Sequence, residues 1–355
     1  MVKVRNHRQT IKKLITDEGL VLTEVKAMGQ LAVEFYKGLL GRADPLVQDT
    51  PLSFLEDMLS HKLGEDDVHL LNSTVTREEI KAVFMAMGND KAPGPGGYPA
   101  EFFKLDWNIV GKAVEDTVLD FFRTGIMPRQ VNSTIIALIP ELEVVDRMQN
   151  FRPISCCNVV YKGISKLLAN SLSLVLTKLI GASQSAFVRG RLISDNILMA
   201  TELVKDYHKA SVSSRCVLKI DLMKAFDSVD WKFLLKVMIA MNIPLSFIKL
   251  IEACVTSPLL SVAFNGGLCG YFPAGKGLRQ GDPLSPYLLT IAMEVFSCML
   301  ARDVSHDFIL YHPRCKGLEI THLCFADNLL VFSNGSIRAV AGIKRLLDRF
   351  IKFQG

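Results

Sequence analysis

The feature that most constrains the fold is a pair of short apolar segments that each carry a carboxylate. Residues 216–221 read CVLKID, which predicts a strand ending at Asp221. Residues 323–332 read LCFADNLLVF, where two apolar arms flank Asp327 and Asn328, and this pattern predicts a hairpin with a polar tip. Two carboxylates brought together in this way can bind divalent cations. For either aspartate alone, a turn or strand-end residue bonded to backbone amides is the more common interpretation.

The composition is that of a globular protein. Its 355 residues, 49% hydrophobic and 22% charged, are enough for a sizeable core and two or three structural units. The net charge of +5 permits a polyanionic partner without requiring one. The basic excess is concentrated before the first acidic residue, in Lys3, Arg5, Arg8, Lys12 and Lys13. The eight cysteines show no zinc-ligand spacing, which predicts reduced, mostly buried thiols in an intracellular protein.

No stretch is predicted to span a membrane. The best candidate, Leu288–Leu300, is short and is interrupted by Glu294. The first 20 residues lack the apolar region of a signal peptide. We therefore expect a protein that is neither secreted nor membrane-spanning.

Local patterns predict several elements before the first aspartate. Residues 1–75 read as short helices and loops. A capping box at Thr76–Glu79 predicts the start of a helix that stops at Gly88. Residues 91–97, KAPGPGG, predict a loop, whose glycines could approach a phosphate, although such loops are far more often simple connections. The β-branched run Thr134–Pro140 predicts a strand.

Two longer helices are predicted from apolar spacing. Apolar residues recur with helical spacing from Val160 to Leu179. Ser285 and Pro286 are a suitable N-cap and first residue for a second helix, which carries apolar residues at helical spacing. A glycine-containing loop, residues 277–283, precedes it.

Six segments, taken together and in their order along the chain, resemble the reverse transcriptases of plant LINE-type (non-LTR) retrotransposons. Residues 219–231, KIDLMKAFDSVDW, resemble motif A of these enzymes. Residues 277–286, GLRQGDPLSP, resemble motif B, and residues 325–328, FADN, resemble the FADD form of motif C. The segments that resemble the finger motifs and the stretch before them are KAPGPGGYPAEFFK at 91–104, FRPIS at 151–155, and QSAF at 184–187 with Gly190 and Arg191.

The resemblance implies an α+β fold, the right-hand polymerase with fingers and a ferredoxin-like palm sheet with packed helices. It divides the chain into an N-terminal helical extension (1–75), fingers (76–215) and palm (216–355). An endonuclease domain before the extension and a thumb after the palm are expected to be missing, as in a truncated copy.

The resemblance also assigns catalytic roles. Asp221 and Asp327 correspond to the palm ligands of two Mg²⁺ ions, and Asn328 stands at the place of a third carboxylate. Phe226 corresponds to the bulky gate that excludes a ribose 2′-hydroxyl. From the residues alone, a core aromatic on a strand-to-helix turn is an equally good interpretation of Phe226.

Four further residues correspond to nucleotide or template contacts. Gln280 and Gly281 resemble the motif B residues near the incoming nucleotide and the template, where glycine permits close backbone approach. Arg152 resembles the finger arginine on the triphosphate, since a guanidinium suits bidentate phosphate binding. Arg191 is a weaker candidate for template or phosphate contact. The implied partners are an RNA template, a DNA primer and dNTPs, and the expected location is the nucleus.

Four positions depart from the family pattern. Asn328 replaces the second aspartate of motif C, and Glu141 replaces the lysine of L-I-P-K. Gly96 stands in place of an aspartate, and Ser171 in place of an arginine. These changes predict an impaired enzyme, in which Glu141 would repel the triphosphate.

Three functions therefore remain open at this point. The first is an RNA-directed DNA polymerase. The second is a catalytically silent remnant that at most binds nucleic acid through basic fingers. The third is a splicing factor similar to group II intron maturases, which would normally need a downstream thumb and RNA-binding domain.

Overall fold

The computed structural model describes residues 10–207, 209 and 214–355, which form a mixed fold of α-helices and β-sheets. Lys3, Arg5 and Arg8 of the predicted basic N-terminus lie outside the described residues. The strands are β1 (Leu14–Ile15), β2 (Val21–Leu22), β3 (Ser133–Pro140), β4 (Phe151–Cys157), β5 (Cys216–Asp221), β6 (Leu259–Phe264), β7 (Gly267–Pro273), β8 (His322–Phe325) and β9 (Asn328–Ser333). The helices in the described residues are α1 (Val25–Leu40), α2 (Leu52–Met58), α3 (Glu65–Leu71), α4 (Arg77–Ala86), α5 (Ala100–Leu105), α6 (Trp107–Thr124), α7 (Val159–Leu179), α8 (Ile193–Val204), α9 (Ala225–Ser228), α10 (Trp231–Ala240), α11 (Leu245–Thr256), α12 (Ser285–Ser305) and α13 (Ile337–Gln354).

The chain forms two compact units, each built from three separate stretches. The first unit contains the described part of Met1–Ala43 together with Val75–Leu167 and Leu250–Pro283. The second contains Asp44–Thr74, Leu168–Lys249 and Leu284–Gly355. These units do not follow the consecutive segments 1–75, 76–215 and 216–355 that the sequence suggested. The naming of fingers and palm remains a prediction.

The first unit is organised around a four-stranded sheet in the order β4-β3-β6-β7. The predicted strand Thr134–Pro140 is confirmed as β3, which pairs antiparallel with β4 and parallel with β6. The α1 side chains Met28 and Tyr36 join Ile136, Val262 and Phe264 in one buried cluster. Burying each such side chain contributes about 1.5–3 kcal/mol, so this cluster fixes the sheet against the helix.

The second unit contains a three-stranded antiparallel sheet in the order β5-β9-β8. Both elements that carry the predicted carboxylates are confirmed, with β5 spanning Cys216–Asp221 and the hairpin formed by β8 and β9. Leu323 and Phe332 of the sheet share a buried cluster with Leu203 of α8. The sheet therefore has its own apolar support within this unit.

The structure confirms one predicted helix start and corrects another. The Thr76 hydroxyl accepts a hydrogen bond from Glu79 N–H, and the Glu79 carboxylate accepts one from Thr76 N–H at 2.8 Å, which completes the capping box. In α12, however, Leu284 occupies the N-cap position and makes no side-chain cap bond. The helix begins one residue earlier than expected, with Ser285 already helical and buried.

One helix that the sequence analysis did not consider as a membrane span, α7, has a suitable length and composition for one. In the described residues α7 is long and apolar enough, with a mean hydropathy of 1.2, because its few charged residues are spread along an otherwise apolar helix. Since 61% of that stretch is buried within the protein, α7 also fits the core helix of a globular protein, and the evidence for a span is weak. All eight cysteines are free thiols, and half of them are buried.

Candidate active site

The hairpin of the second unit places Asp327 in its turn. Phe325 and Asn328 are the last paired residues of β8 and β9, so Ala326 and Asp327 form a two-residue connection. Ala326 has φ +56°, a left-handed conformation that costs a non-glycine residue about 1–2 kcal/mol. This conformation of Ala326 must be stabilised by contacts with other parts of the chain. The candidate residue Asp327 follows Ala326 directly.

The pairing of β5 with β9 brings the second aspartate to the same end of the sheet. Asp221 lies directly opposite Asn328 in the antiparallel register. Leu222 N–H also donates to Asp327 C=O at 3.5 Å, which joins the two segments beyond the last strand pair. Residues opposite each other in such a register have Cα atoms roughly 4.5–5.5 Å apart. The sheet thus gathers two carboxylates and one amide at a single edge.

The donor set at this edge suits magnesium, with one weakness. Two carboxylates together with substrate phosphates are the usual way in which proteins bind Mg²⁺. Asn328 supplies one neutral oxygen, and its Nδ2 donates to Asp327 Oδ1 at 3.2 Å. Among the residues that the structure describes, no cluster of three or more His, Cys, Asp or Glu side chains could hold a metal ion. The edge therefore offers two carboxylates where a third is expected from the family pattern.

Phe226 lies just beyond β5, in the short helix α9. Lys224, the residue before this helix, has φ +57°, and Ala225 N–H donates to Leu222 C=O at 3.3 Å as the chain turns from the strand into the helix. The Phe226 ring is half-buried. Its role as a gate stays a prediction.

The first unit anchors the predicted motif B loop through Arg279 and Asp282, whose side chains are 9% and 4% exposed and which the sequence analysis did not single out. Arg279 donates to Asn132 Oδ1 at 2.6 Å and forms an ion pair with Asp282 at 3.3 Å. Tyr161 OH donates to Asp282 Oδ2 at 2.6 Å, and burial raises the pKa of Tyr161, so this hydroxyl keeps its proton. The buried hydroxyl of Ser165 also donates to Asp282. The loop is held in one conformation by these bonds.

Gln280 and Gly281 are presented by this anchored loop against β4. The backbone N–H of Ser155 donates to the Gln280 carbonyl at 2.7 Å. Gly281 has φ +102°, and a Cβ there would lie 3.2 Å from the Ser155 carbonyl oxygen. Both the conformation and the contact favour glycine. The sequence places these residues correctly in a loop, but their strand partner was not predicted.

Arg152 lies on β4 and is already paired within the first unit. Its Nε donates to Glu141 Oε1 at 2.9 Å, and the two side chains are 60% and 43% exposed. Glu141 thus neutralises Arg152, the arginine that was assigned to the triphosphate. Direct repulsion of a triphosphate by Glu141 stays a prediction. An exposed pair of this kind contributes only about 0–1 kcal/mol, so a strong anion can displace it.

Arg191 is held by backbone carbonyl groups of the second unit. Its guanidinium donates to the carbonyls of Ile180, Gly181 and Gln184 at 2.5–2.8 Å. Burial lowers the pKa of Arg191, which Glu294 partly offsets. These bonds fix the loop before α8 and give Arg191 a structural role. Its contact with template or phosphate stays a prediction.

Comparison with known proteins identifies the family of the chain. The model of the reverse transcriptase (RNA-dependent DNA polymerase) family matches residues 140–354, which include every candidate site residue. The match covers more than half of the chain, and the chain belongs to this family.

Individual relatives are more distant. The chain is similar to the transposon TX1 uncharacterized 149 kDa protein of Xenopus laevis, with 26% identity over 93% of this chain and 24% of that protein. It is also similar to the Pol polyprotein from the type-2 retrotransposable element R2DM of Drosophila melanogaster, with 23% identity over 79% of this chain and 25% of that protein. A shorter similarity, 37% identity over 18% of this chain and 53% of the other, is to an uncharacterized mitochondrial protein of Arabidopsis thaliana. The chain spans about a quarter of the length of the first two relatives.

Proposed function

We propose that the chain is the polymerase domain of a non-LTR (LINE-type) retrotransposon protein, which copies an RNA template into DNA by extending a DNA primer with dNTPs. The observation that carries the proposal is the strand register that sets Asp221 opposite Asn328, next to Asp327. The family match and the names of the transposon TX1 and R2 relatives support it. The right-hand fold with fingers and palm, a plant origin and a nuclear location are part of the same proposal.

Asp221 and Asp327 would hold Mg²⁺, with the Asn328 side-chain oxygen as a weaker third ligand. Bound magnesium would activate the primer 3′-hydroxyl and stabilise the leaving pyrophosphate. The chain itself contributes the two carboxylates, fixed by the β5-β9-β8 sheet. The missing negative charge at Asn328 predicts a weakened site, since magnesium favours carboxylate ligands.

The remaining candidate residues would act on the nucleotide and the template. Arg152 suits the triphosphate once it is released from Glu141, because a guanidinium binds phosphate oxygens in a planar, bidentate manner. Phe226 would exclude the ribose 2′-oxygen by contact. Gln280 and Gly281 would contact the nucleotide or template through a loop that Arg279 and Asp282 keep rigid.

A second candidate is a catalytically silent remnant that binds nucleic acid. Two observations favour it, namely the neutral Asn328 at the metal edge and the neutralised Arg152. It differs from the first in predicting nucleic-acid binding without primer extension at any magnesium concentration.

Primer extension on an RNA template separates the two functions. The first candidate predicts weak extension with magnesium that disappears in Asp221→Asn, because loss of a ligand carboxylate removes several kcal/mol of charge stabilisation. Extension that is equal in the unmodified chain and in Asp221→Asn would refute the assignment. Binding of template without extension, even in Asn328→Asp, would favour the remnant.

A further inference from the structure

The turn that carries Asp327 is held by a side chain more than a hundred residues earlier in the sequence. Gln184 lies in the loop before α8, within the same unit, and is only 2% exposed. Its Oε1 accepts from Ala326 N–H at 3.0 Å, and its Nε2 lies 3.4 Å from Ala326 C=O, to which it donates. One side-chain amide therefore bonds both backbone groups of the strained turn residue.

This two-point contact has a specific mechanical consequence. Ala326 N–H belongs to the peptide before the Ala326 Cα, and Ala326 C=O belongs to the peptide after it. Holding both peptides fixes the φ and ψ angles of Ala326. Without this restraint the φ of +56° is unfavourable for a non-glycine residue. Asp327 follows directly, so the direction of its carboxylate depends on those two angles.

Gln184 is itself held in place by its surroundings. Its Oε1 also accepts from Ala186 N–H at 2.9 Å, and its Nε2 donates to Cys324 Sγ at 2.9 Å. The backbone on either side is bonded to the hairpin as well, since Cys324 N–H donates to Ser183 C=O at 2.8 Å and Ser185 N–H donates to Cys324 C=O at 3.0 Å. The amide is thus a rigid buried clamp with its hydrogen-bonding atoms directed at the turn.

We propose that Gln184 is a positioning residue that orients the Asp327 carboxylate toward Asp221 for metal binding. It acts through the backbone of Ala326 and does not contact the metal. The inference rests on the proposed function only where it concerns metal binding, because the clamp on the turn is a property of the fold alone.

The test compares Gln184→Met with the unmodified chain. Methionine keeps nearly the same volume, so packing is retained while both bonds to Ala326 are lost. Hydrogen–deuterium exchange of peptides that cover residues 322–333 should accelerate by about tenfold or more, and Mn²⁺ affinity, measured by electron paramagnetic resonance, should fall by about tenfold.

Asn196→Ala is the matched control. Asn196 Nδ2 donates to Cys324 C=O at 3.1 Å and to Ser185 Oγ at 2.8 Å, so its loss removes two bonds near the same strand but none to Ala326. This variant should lower the melting temperature by a similar amount and leave Mn²⁺ affinity unchanged. A decrease in affinity that is equal in both variants would reduce Gln184 to a general structural role and overturn the proposal.

Hydrogen–deuterium exchange and Mn²⁺ binding test different parts of the proposal. If hydrogen exchange at the turn is the same in Gln184→Met and the unmodified chain, Gln184 does not restrain Ala326, whatever the Mn²⁺ affinities are. If the unmodified chain binds Mn²⁺ no better than Asp221→Asn, the proposed metal site fails, and the positioning role falls with it, even where exchange confirms the clamp.

Discussion

The carboxylate edge of the second unit and the motif B loop of the first unit reach their conformations in different ways. At the carboxylate edge, strand alternation and register set Asp221 opposite Asn328, and a one-residue slip would turn the apolar side chains away from their buried face. At the loop, the geometry depends on partners far apart in sequence, such as Arg279 with Asn132. A local pattern can therefore predict the strands and the hairpin of the carboxylate edge, although its turn is also held by Gln184, whereas the motif B loop depends on tertiary contacts throughout.

The largest effect is expected when a ligand is removed from the carboxylate edge. In a chain that already carries Asn328→Asp, the further change Asp327→Asn should reduce the rate of primer extension on the order of a thousandfold, because several kcal/mol of charge stabilisation are lost. Asp120→Asn is the control, since Asp120 is exposed on α6 and pairs only with Arg123 among the ion pairs of the described residues. Equal rates in these two double variants would contradict the account.

A gain of about tenfold to a hundredfold is expected from Asn328→Asp alone. The change restores a carboxylate opposite Asp221, where magnesium favours a charged oxygen. Extension rates at several magnesium concentrations would measure it, and the gain should be largest at low magnesium. A variant that extends no faster than the unmodified chain at any concentration would show that Asn328 does not limit the site.

Glu294 should make the stability of the second unit depend on pH. Burial raises the pKa of this α12 carboxyl to about 7, opposed by Gly181 N–H, Cys298 and Arg191, while His61 lies 3.8 Å away. Because the folded state keeps the proton that the unfolded state releases near pH 4.5, stability should fall by roughly 2–3 kcal/mol as pH rises from about 4.5 to about 7.

Glu294→Gln is the variant that tests this dependence. Urea unfolding between pH 5 and pH 8 should show a flatter profile for Glu294→Gln than for Glu252→Gln, whose side chain is exposed on α11. If Glu294→Gln keeps the same pH dependence of stability as Glu252→Gln and the unmodified chain, a group other than Glu294 causes that dependence.

A smaller loss of stability is expected from Gly281→Ala at the motif B loop. The new Cβ would lie 3.2 Å from Ser155 C=O at a φ of +102°, which should cost about 1–3 kcal/mol in the free energy of unfolding. Gly97→Ala is the control, because Gly97 also has a positive φ but has open space around the Cβ. A cost at Gly281 no greater than at Gly97 would mean that β4 does not confine the loop.

The smallest effect is expected from Glu141→Gln. The exposed ion pair with Arg152 contributes about 0–1 kcal/mol to stability, so unfolding should change little. The binding of inorganic triphosphate should improve by a factor of about two to five, since Arg152 becomes free to pair with the anion. In a chain with Arg152→Gln, the same change should have no effect on binding if Glu141 acts through Arg152, and an improvement there would show that Glu141 repels the anion directly.

The sequence could predict elements with a local pattern, but not contacts between segments that are far apart along the chain. The strands that end at Asp221 and flank Asp327 were predicted within one residue, because each is a short apolar run bounded by polar residues. β4 was not recognised as a strand, since Pro153 removes a backbone donor and usually argues against one. The pairing of Gln184 with Ala326 and of Arg152 with Glu141 leaves no local signature, since each joins segments through the folded backbone.

The most direct test of the central claim is a Mn²⁺ titration of three chains, followed by electron paramagnetic resonance. If Asp221, Asp327 and Asn328 form one metal site, affinity should rise about tenfold in Asn328→Asp and fall about tenfold in Asp221→Asn relative to the unmodified chain. Identical affinities in all three chains would contradict the claim that this edge of the β5-β9-β8 sheet binds the metal.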